Sequence, residues 1–244
     1  MAFLAALWPL ISIVSLAQKT IEYNNQQWMA YNNQLKLSKK LTLFSDFGMR
    51  RTNYFEQFSQ ITMRTGLGYP IYGNIQGLTG FACFQTFREN KLTRIELRPF
   101  QDISTNQNLG KITLHNRIRI EARHFNDLAT GEVESRSSFN FRFRYRILFG
   151  IPFLNIPTKN NDSKLIFNIG DEIMINAGKQ IVYNVLDNNR LLIGATYQVR
   201  ENISFIFLYN FQIGRNNMPA SFRQSDIFWL VLQHKISLVK KSNS

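Results

Sequence analysis

Alternating arginines are the residues of this chain that are best arranged to do chemistry. Arg142, Arg144 and Arg146 are separated by single aromatic residues, and a second row contains Arg117, Arg119 and Arg123. Guanidinium groups hold carboxylates and other oxyanions in paired hydrogen bonds, so these rows predict either an ion-pair network or an anion site. Two carboxylates share the same parity. The predicted charge network therefore comprises Arg117, Arg119, Glu121, Arg123, Arg142, Arg144, Arg146 and Glu172.

The three histidines suggest a second kind of chemistry. His115 shares a face with the first arginine row, whereas His124 and His234 have the outer parity or lie near strand ends. A histidine beside a hydroxyl is the core of a hydrolase site, but no nucleophile motif surrounds Ser137 or Ser138. A lipid-modifying hydrolase with a lumenal or rim histidine is thus an alternative hypothesis, and no catalytic residue is assigned. The sequence contains no His/Cys cluster of the kind that binds a metal, and we expect no cofactor.

The stretch 137–149 shows which element must carry the arginines. Its aromatic and aliphatic residues fall on one parity and Asn140 and the arginines on the other, a period of two that indicates a β-strand. In a soluble sandwich the aromatic face would be the core, whereas in an outer-membrane barrel it would face lipid. The length of the stretch suits a bilayer, which about 9–11 tilted residues cross.

The rest of the chain divides into similar segments without a linker, which predicts a single all-β domain. We count eleven segments, with 125–135 as a loop and 150–163 as a connection. Because bacterial single-chain barrels have even strand numbers, we expect ten to twelve strands. We prefer twelve, with 19–23 as an extra short strand, over ten, in which one segment would not span the membrane. Short and long connections are expected to alternate along the chain, as periplasmic turns and extracellular loops would. The short ones are 38–40, 70–74, 106–110 and 200–202, and the longer ones are 52–58, 88–94, 125–135 and 214–224. The predicted fold is an antiparallel up-and-down transmembrane β-barrel.

Composition and the N-terminal segment bear on location. The 244 residues carry a net charge of +13 and are 14% aromatic. Aromatics and arginines lie on opposite faces, which argues against a nucleic-acid-binding platform, since that surface needs both on one face. The apolar residues 1–17 end in Ser15-Leu16-Ala17 and predict a cleaved signal peptide, leaving 18–244 as the barrel domain. The single cysteine, Cys83, excludes an intramolecular disulfide framework.

Several motifs along the chain form a recognisable set. They are Trp28, the stretches 31–40, 64–69, 98–101, 117–123 and 141–146, the pair Asp171-Glu172, and the stretch 184–190. Together they resemble the DUF2490 family of Bacteroidota outer-membrane proteins. The resemblance covers most of the mature chain and implies a β-barrel at the outer membrane, without bringing an activity.

The sequence leaves three functions open. The first is a passive, porin-like outer-membrane barrel, whose arginines either fill the lumen as a structural network or line a small pore that attracts anions. The second is the hydrolase, and the third is a secreted soluble β-sandwich that binds a ligand. For the barrel we expect outer-membrane lipid or lipopolysaccharide as surroundings, and a partner lipoprotein or periplasmic protein as a possible subunit. We interpret 187–190 and Asp171-Glu172 as a solvated charge cluster near one rim, with a partner-binding loop as the alternative.

Overall fold

Eleven strands form one closed barrel in the residues that the computed structural model describes, 19–129, 132–158 and 161–239. No helix in these ranges is long and apolar enough to cross a bilayer. The predicted signal peptide, 1–17, lies outside the described residues. The strands are β1 (Thr20–Lys36), β2 (Thr42–Thr52), β3 (Gln57–Tyr72), β4 (Ile75–Arg88), β5 (Lys91–Leu109), β6 (Ile112–Ala129), β7 (Glu132–Thr158), β8 (Asn161–Ala177), β9 (Leu186–Arg200), β10 (Ile203–Arg215) and β11 (Ser221–Ser237).

The barrel closes through a parallel pair. Consecutive strands pair antiparallel, and β1 pairs with β11 in parallel from Thr20 opposite Ser221 to Lys36 opposite Ser237. The preference for twelve strands was therefore wrong for the described chain, because residues 20–23 belong to β1 rather than to a separate strand. An odd number of up-and-down strands leaves the first and last strands running the same way, so their ladder must be parallel. One closed sheet also rules out the two-layer sandwich.

Several strands continue beyond the predicted ends. The expected loop 125–135 and connection 150–163 were wrong, because β6 runs to Ala129 and β7 spans Glu132–Thr158. Between β4 and β5 only Glu89 and Asn90 intervene, with φ of 49° and 62° as in a tight hairpin turn. The expected alternation of short and long connections is thus wrong. The polar composition of these segments suggested loops. The polar residues at these strand ends nevertheless remain paired with the neighbouring strand, beyond the last apolar residues of each strand.

The two rims are distinguished by their connections. We call the rim with 37–41, 73–74, 110–111 and 201–202 the first rim, and the rim with 53–56, 89–90, 178–185 and 216–220 the second rim. The connection 178–185 joins β8 to β9 and is the longest of those described.

The two faces of the sheet have opposite character. Phe143 is 44% exposed on the outside, whereas its neighbour Arg144 is only 8% exposed on the inside. The same contrast recurs around the barrel, since outward positions carry most of the exposed apolar side chains. These include Ile118, Ile120, Phe139, Phe141, Tyr145, Phe167, Ile169, Ile173, Ile175, Leu191, Phe205, Phe207, Tyr209 and Ile213.

A small apolar cluster supports part of the inner wall. Ala82, Phe84 and Phe100 pack together inside β4 and β5, with Leu78 against them. Phe100 lies opposite Gly80 in the β4–β5 ladder, and a Cβ built on that glycine would lie 2.5 Å from Phe100 Cζ. The missing side chain thus gives the ring its space beside the backbone. Phe100 and Phe84 are the surfaces on which interior guanidinium groups lie.

Candidate functional site

The β6–β7 ladder brings the two arginine rows face to face. Arg117 lies opposite Arg146, and Arg119 lies opposite Arg144. Glu121 lies opposite Arg142, whereas Arg123 lies opposite Asn140. Like charges directly opposite each other on one face destabilise a ladder, so this register requires carboxylates from other positions.

Glu121 is the first of two carboxylates on which the arginines converge. It is 2% exposed and accepts hydrogen bonds from Arg142 Nε at 2.7 Å and Arg144 Nη1 at 2.8 Å. The Nη1 atoms of Arg98 and Arg119 lie 3.8 Å from its carboxylate oxygens. Four guanidinium groups therefore surround the buried carboxylate of Glu121. Removal of this carboxylate would leave their positive charges buried without a partner, which destabilises the fold.

Glu172 on β8 is the second such carboxylate. It is 2% exposed, and Arg117 Nη2 donates to its Oε1 at 2.6 Å. Arg144 Nη2 lies 2.8 Å from both of its oxygens, and Arg190 Nη1 lies 3.4 Å from Oε2. Arg144 thereby joins the two carboxylates, and the predicted residues lie in one connected network.

Residues outside the predicted set complete this network. Asp102 binds Arg119 in a bidentate pair, with Nε–Oδ1 at 2.6 Å and Nη2–Oδ2 at 2.7 Å. Glu96 accepts from Arg98 Nη2 at 2.6 Å and from Arg123 Nε at 2.6 Å. Glu96, Arg98 and Asp102 have the same parity on β5, and this alternation is the sequence signal that could have identified them.

The interpretation of 187–190 as a solvated rim cluster was wrong for its two charged ends. Asp187 accepts from Arg142 Nη1 at 2.8 Å inside the barrel, and Arg190 reaches Glu172. Asp171 instead accepts from Asn189 Nδ2 at 2.9 Å, apart from the arginine network. Asp187 and Arg190 have opposite parity on β9, so alternation alone would turn one of them outward. The β8–β9 register shifts between Met174, which lies opposite Asn188, and Ile175, which lies opposite Leu186, and this irregularity leaves Asp187 unpaired in the ladder beside the lumen.

Aromatic rings continue the network across the lumen. The ring of Trp28 on β1 lies 3.8 Å from Arg50 Cζ and 5.3 Å from Arg190 Cζ, measured to its centroid. The ring of Phe84 lies 3.6 Å from Arg98 Cζ. Cation–π contacts of this kind stabilise a guanidinium group that lies over an aromatic ring. Arg50 has no ion pair within the described part of the chain.

These side chains surround a cavity of ≈ 1140 Å³. Its lining reaches Asn216 near the second rim and both Gln34 and Lys235 near the first rim. Within the described ranges the lining contains thirteen arginines and five carboxylates. The interior is thus cationic along the barrel, even after the ion pairs are formed.

The histidines do not come together as a catalytic site. His115 lines the cavity, His124 lies against Phe139 at 4.7 Å between ring centroids, and His234 Nδ1 lies 3.2 Å from Tyr31 Oη. No Ser or Thr hydroxyl hydrogen-bonds a histidine in the ranges described, which leaves the hydrolase hypothesis without a nucleophile–base pair. Nor do His, Cys, Asp and Glu side chains form a metal-binding group in those ranges.

The fold and the interior define the class of this protein as a closed β-barrel with an apolar outer surface and an arginine-rich lumen. The chain belongs to the DUF2490 family, whose model, described as a protein of unknown function, matches residues 25–223. Neither a curated protein nor a solved structure matches the chain.

Proposed function

We propose that this chain is an outer-membrane β-barrel, exported by the signal peptide 1–17, whose lumen is a small arginine-lined pore for anions. The observation that supports membrane insertion is the inverted distribution of side chains. Phe143 and Phe207 are 44% and 54% exposed outside, whereas Glu121 and Glu172 are each 2% exposed inside. Water stabilises the opposite arrangement, and hydrocarbon outside a polar lumen stabilises this one.

The pore itself is supported by the cavity and its charge. The cavity of ≈ 1140 Å³ has lining residues near both rims, Asn216 toward the second and Gln34 and Lys235 toward the first, so polar space reaches both ends of the barrel. Rings of arginine favour anions in such pores. Arg50 lines the cavity and carries no carboxylate partner among the described residues, so its charge acts on passing ions without compensation.

Membrane insertion is tested by fractionation combined with heat-modifiable gel migration. A folded outer-membrane barrel stays with the outer membrane and migrates differently before and after boiling. We expect both behaviours. Protein that remains in the periplasm or medium without heat-dependent migration would overturn the membrane assignment.

Conductance across planar bilayers under a salt gradient tests the pore. We expect a reversal potential that shows preference for chloride over potassium. Arg50→Gln should lower this preference several-fold, while Arg50→Lys should keep it because the charge remains. Arg88→Gln is the matched control, since Arg88 is exposed and lies outside the cavity lining. Conductance without anion preference, or equal effects of the two Gln variants, would contradict an anion pore whose selectivity comes from Arg50.

A structural or accessory barrel is the second candidate. The observation in its favour is that Arg144 bonds both Glu121 and Glu172, so part of the lumen is filled by fixed ion pairs. Correctly folded, inserted protein that does not conduct at all would support this function. Its partners would then be outer-membrane lipid, including lipopolysaccharide, and a lipoprotein or periplasmic protein.

A further inference from the structure

Three cationic or polar side chains on one side of the cavity have buried nitrogen atoms without hydrogen-bond partners. Arg146 makes no ion pair or hydrogen bond with the described residues, and its Nε is buried and unpartnered. Arg117 donates from Nη2 to Glu172, but its Nε is also buried and unpartnered. The Nδ1 atom of His115 is the third such atom. All three side chains line the cavity.

The ladder places these groups together. Arg117 lies directly opposite Arg146 on β6 and β7, and His115 is the next inward position of β6. Residues directly opposite on one face have Cβ atoms about 4.5–5.5 Å apart, so the two guanidinium groups can converge on one ligand. His115 lies close to the turn at 110–111, which places this side of the cavity toward the first rim.

Glu172 cannot neutralise this region by itself. It lies opposite Arg146 in the β7–β8 ladder, yet its two oxygens already accept from Arg117, Arg144 and Arg190. One negative charge thus serves several guanidinium groups. Buried guanidinium groups whose N–H donors have no partner strongly favour the binding of an additional anion.

We propose that Arg117, Arg146 and His115 form a binding site for a phosphate-class oxyanion inside the barrel. Two guanidinium groups match the charge and the several acceptor oxygens of a phosphate dianion better than they match chloride. Ser104 and Asn106, which lie opposite Arg117 and His115 and line the cavity, supply further polar groups. This inference rests on the closed cationic lumen of the proposed function, and it requires no ion conduction.

The site is tested by calorimetric titration of the folded barrel in detergent with inorganic phosphate, a soluble phosphomonoester and sodium chloride. We expect one phosphate site per chain and at least tenfold weaker binding of chloride. If the phosphomonoester also binds, the natural ligand is a phosphate group on a larger molecule; if only inorganic phosphate binds, the ligand is the free ion. Absence of phosphate binding at millimolar concentration overturns the site.

Variants locate the binding. Arg146→Gln should weaken phosphate binding at least tenfold, and Arg146→Lys should weaken it less. Arg223→Gln is the control, because Arg223 lines the cavity near the second rim and carries the same charge. Equal losses in Arg146→Gln and Arg223→Gln would overturn the assignment to this side. If Arg146→Gln does not fold, an NMR titration of the wild-type protein with phosphate decides. We expect phosphate to shift the Nε–H resonances of a small subset of the arginines. Shifts of all of these resonances, or of none, would overturn the site.

The outcomes separate this site from the pore. Phosphate binding without conductance overturns the pore and retains the site as a pocket. Conductance with no phosphate binding overturns the site and leaves the pore in place.

Discussion

Arg144 joins Glu121 to Glu172, with its Nη1 2.8 Å from one carboxylate and its Nη2 2.8 Å from both oxygens of the other. The three residues come from β6, β7 and β8, so this one side chain ties three strands together inside the barrel. All three are buried, which removes the solvent that would otherwise screen their charges.

Removal of this guanidinium should strongly destabilise the barrel. We expect Arg144→Met to lower the free energy of unfolding by about 3–5 kcal/mol, because two buried carboxylates then lose a partner. Urea unfolding in lipid vesicles, followed by tryptophan fluorescence, measures the change. Arg94→Met is the control: Arg94 pairs with Asp127 where the two side chains are 46% and 41% exposed, and such pairs contribute about 0–1 kcal/mol. Equal effects of the two variants would contradict the role of Arg144.

The space beside Phe100 should not tolerate a methyl group. A Cβ at position 80 would meet both the Phe100 ring and the carbonyl oxygen of Thr65, so we expect Gly80→Ala to cost about 1–3 kcal/mol. Gly150→Ala is the matched control, since its nearest neighbour would be Ile166 Cγ2 at 3.4 Å, in ordinary packing. The same urea titration compares them. A Gly80→Ala protein as stable as Gly150→Ala would show that the ring does not occupy this space.

The parallel closure can be tested by cross-linking. Met29 on β1 pairs with Leu230 on β11, and Leu230 pairs with Phe207 on β10. Adjacent strands lie about 4.7–4.9 Å apart, within the Cα range that a disulfide bridges. In a Cys83→Ser background, Met29→Cys with Leu230→Cys should oxidise to an internal bridge visible as altered migration of boiled, non-reduced protein.

The control for this cross-link is Met29→Cys with Phe207→Cys, whose strands are two spacings apart, about 10 Å. We expect no bridge in that pair. Oxidation of neither pair would indicate an additional strand or another register at the seam, and oxidation of the control alone would place β1 beside β10.

The fold was largely predictable from the sequence because strand alternation is local. Phe143 and Arg144 needed only a period of two to be assigned to opposite faces. The eleven segments counted from alternation correspond to β1–β11, whereas the preference for twelve came from the even strand numbers of bacterial single-chain barrels and was wrong for the described chain. Strand ends such as the Glu89–Asn90 turn were also misjudged, because polar residues that keep pairing resemble loops in composition.

The complete charge network was less predictable, because its members meet through register. Asp187 reaches Arg142 only when β7, β8 and β9 are aligned, a relationship between residues 45 positions apart. Glu96 and Asp102 join in the same way through the β5–β6 ladder. No single segment carries this information, whereas the arginine rows of β6 and β7 are visible within one stretch each.

The contrast between Phe207 and Leu208 tests most directly whether hydrocarbon surrounds this barrel. Phe207 is 54% exposed on the outside, whereas Leu208 lines the cavity. Each position is replaced by a spin-labelled cysteine in a Cys83→Ser background, and accessibility to oxygen dissolved in lipid and to a water-soluble nickel chelate is measured in vesicles. We predict high oxygen and low nickel accessibility at 207, with low oxygen accessibility at 208. Higher nickel than oxygen accessibility at 207 would contradict an outer surface in contact with lipid.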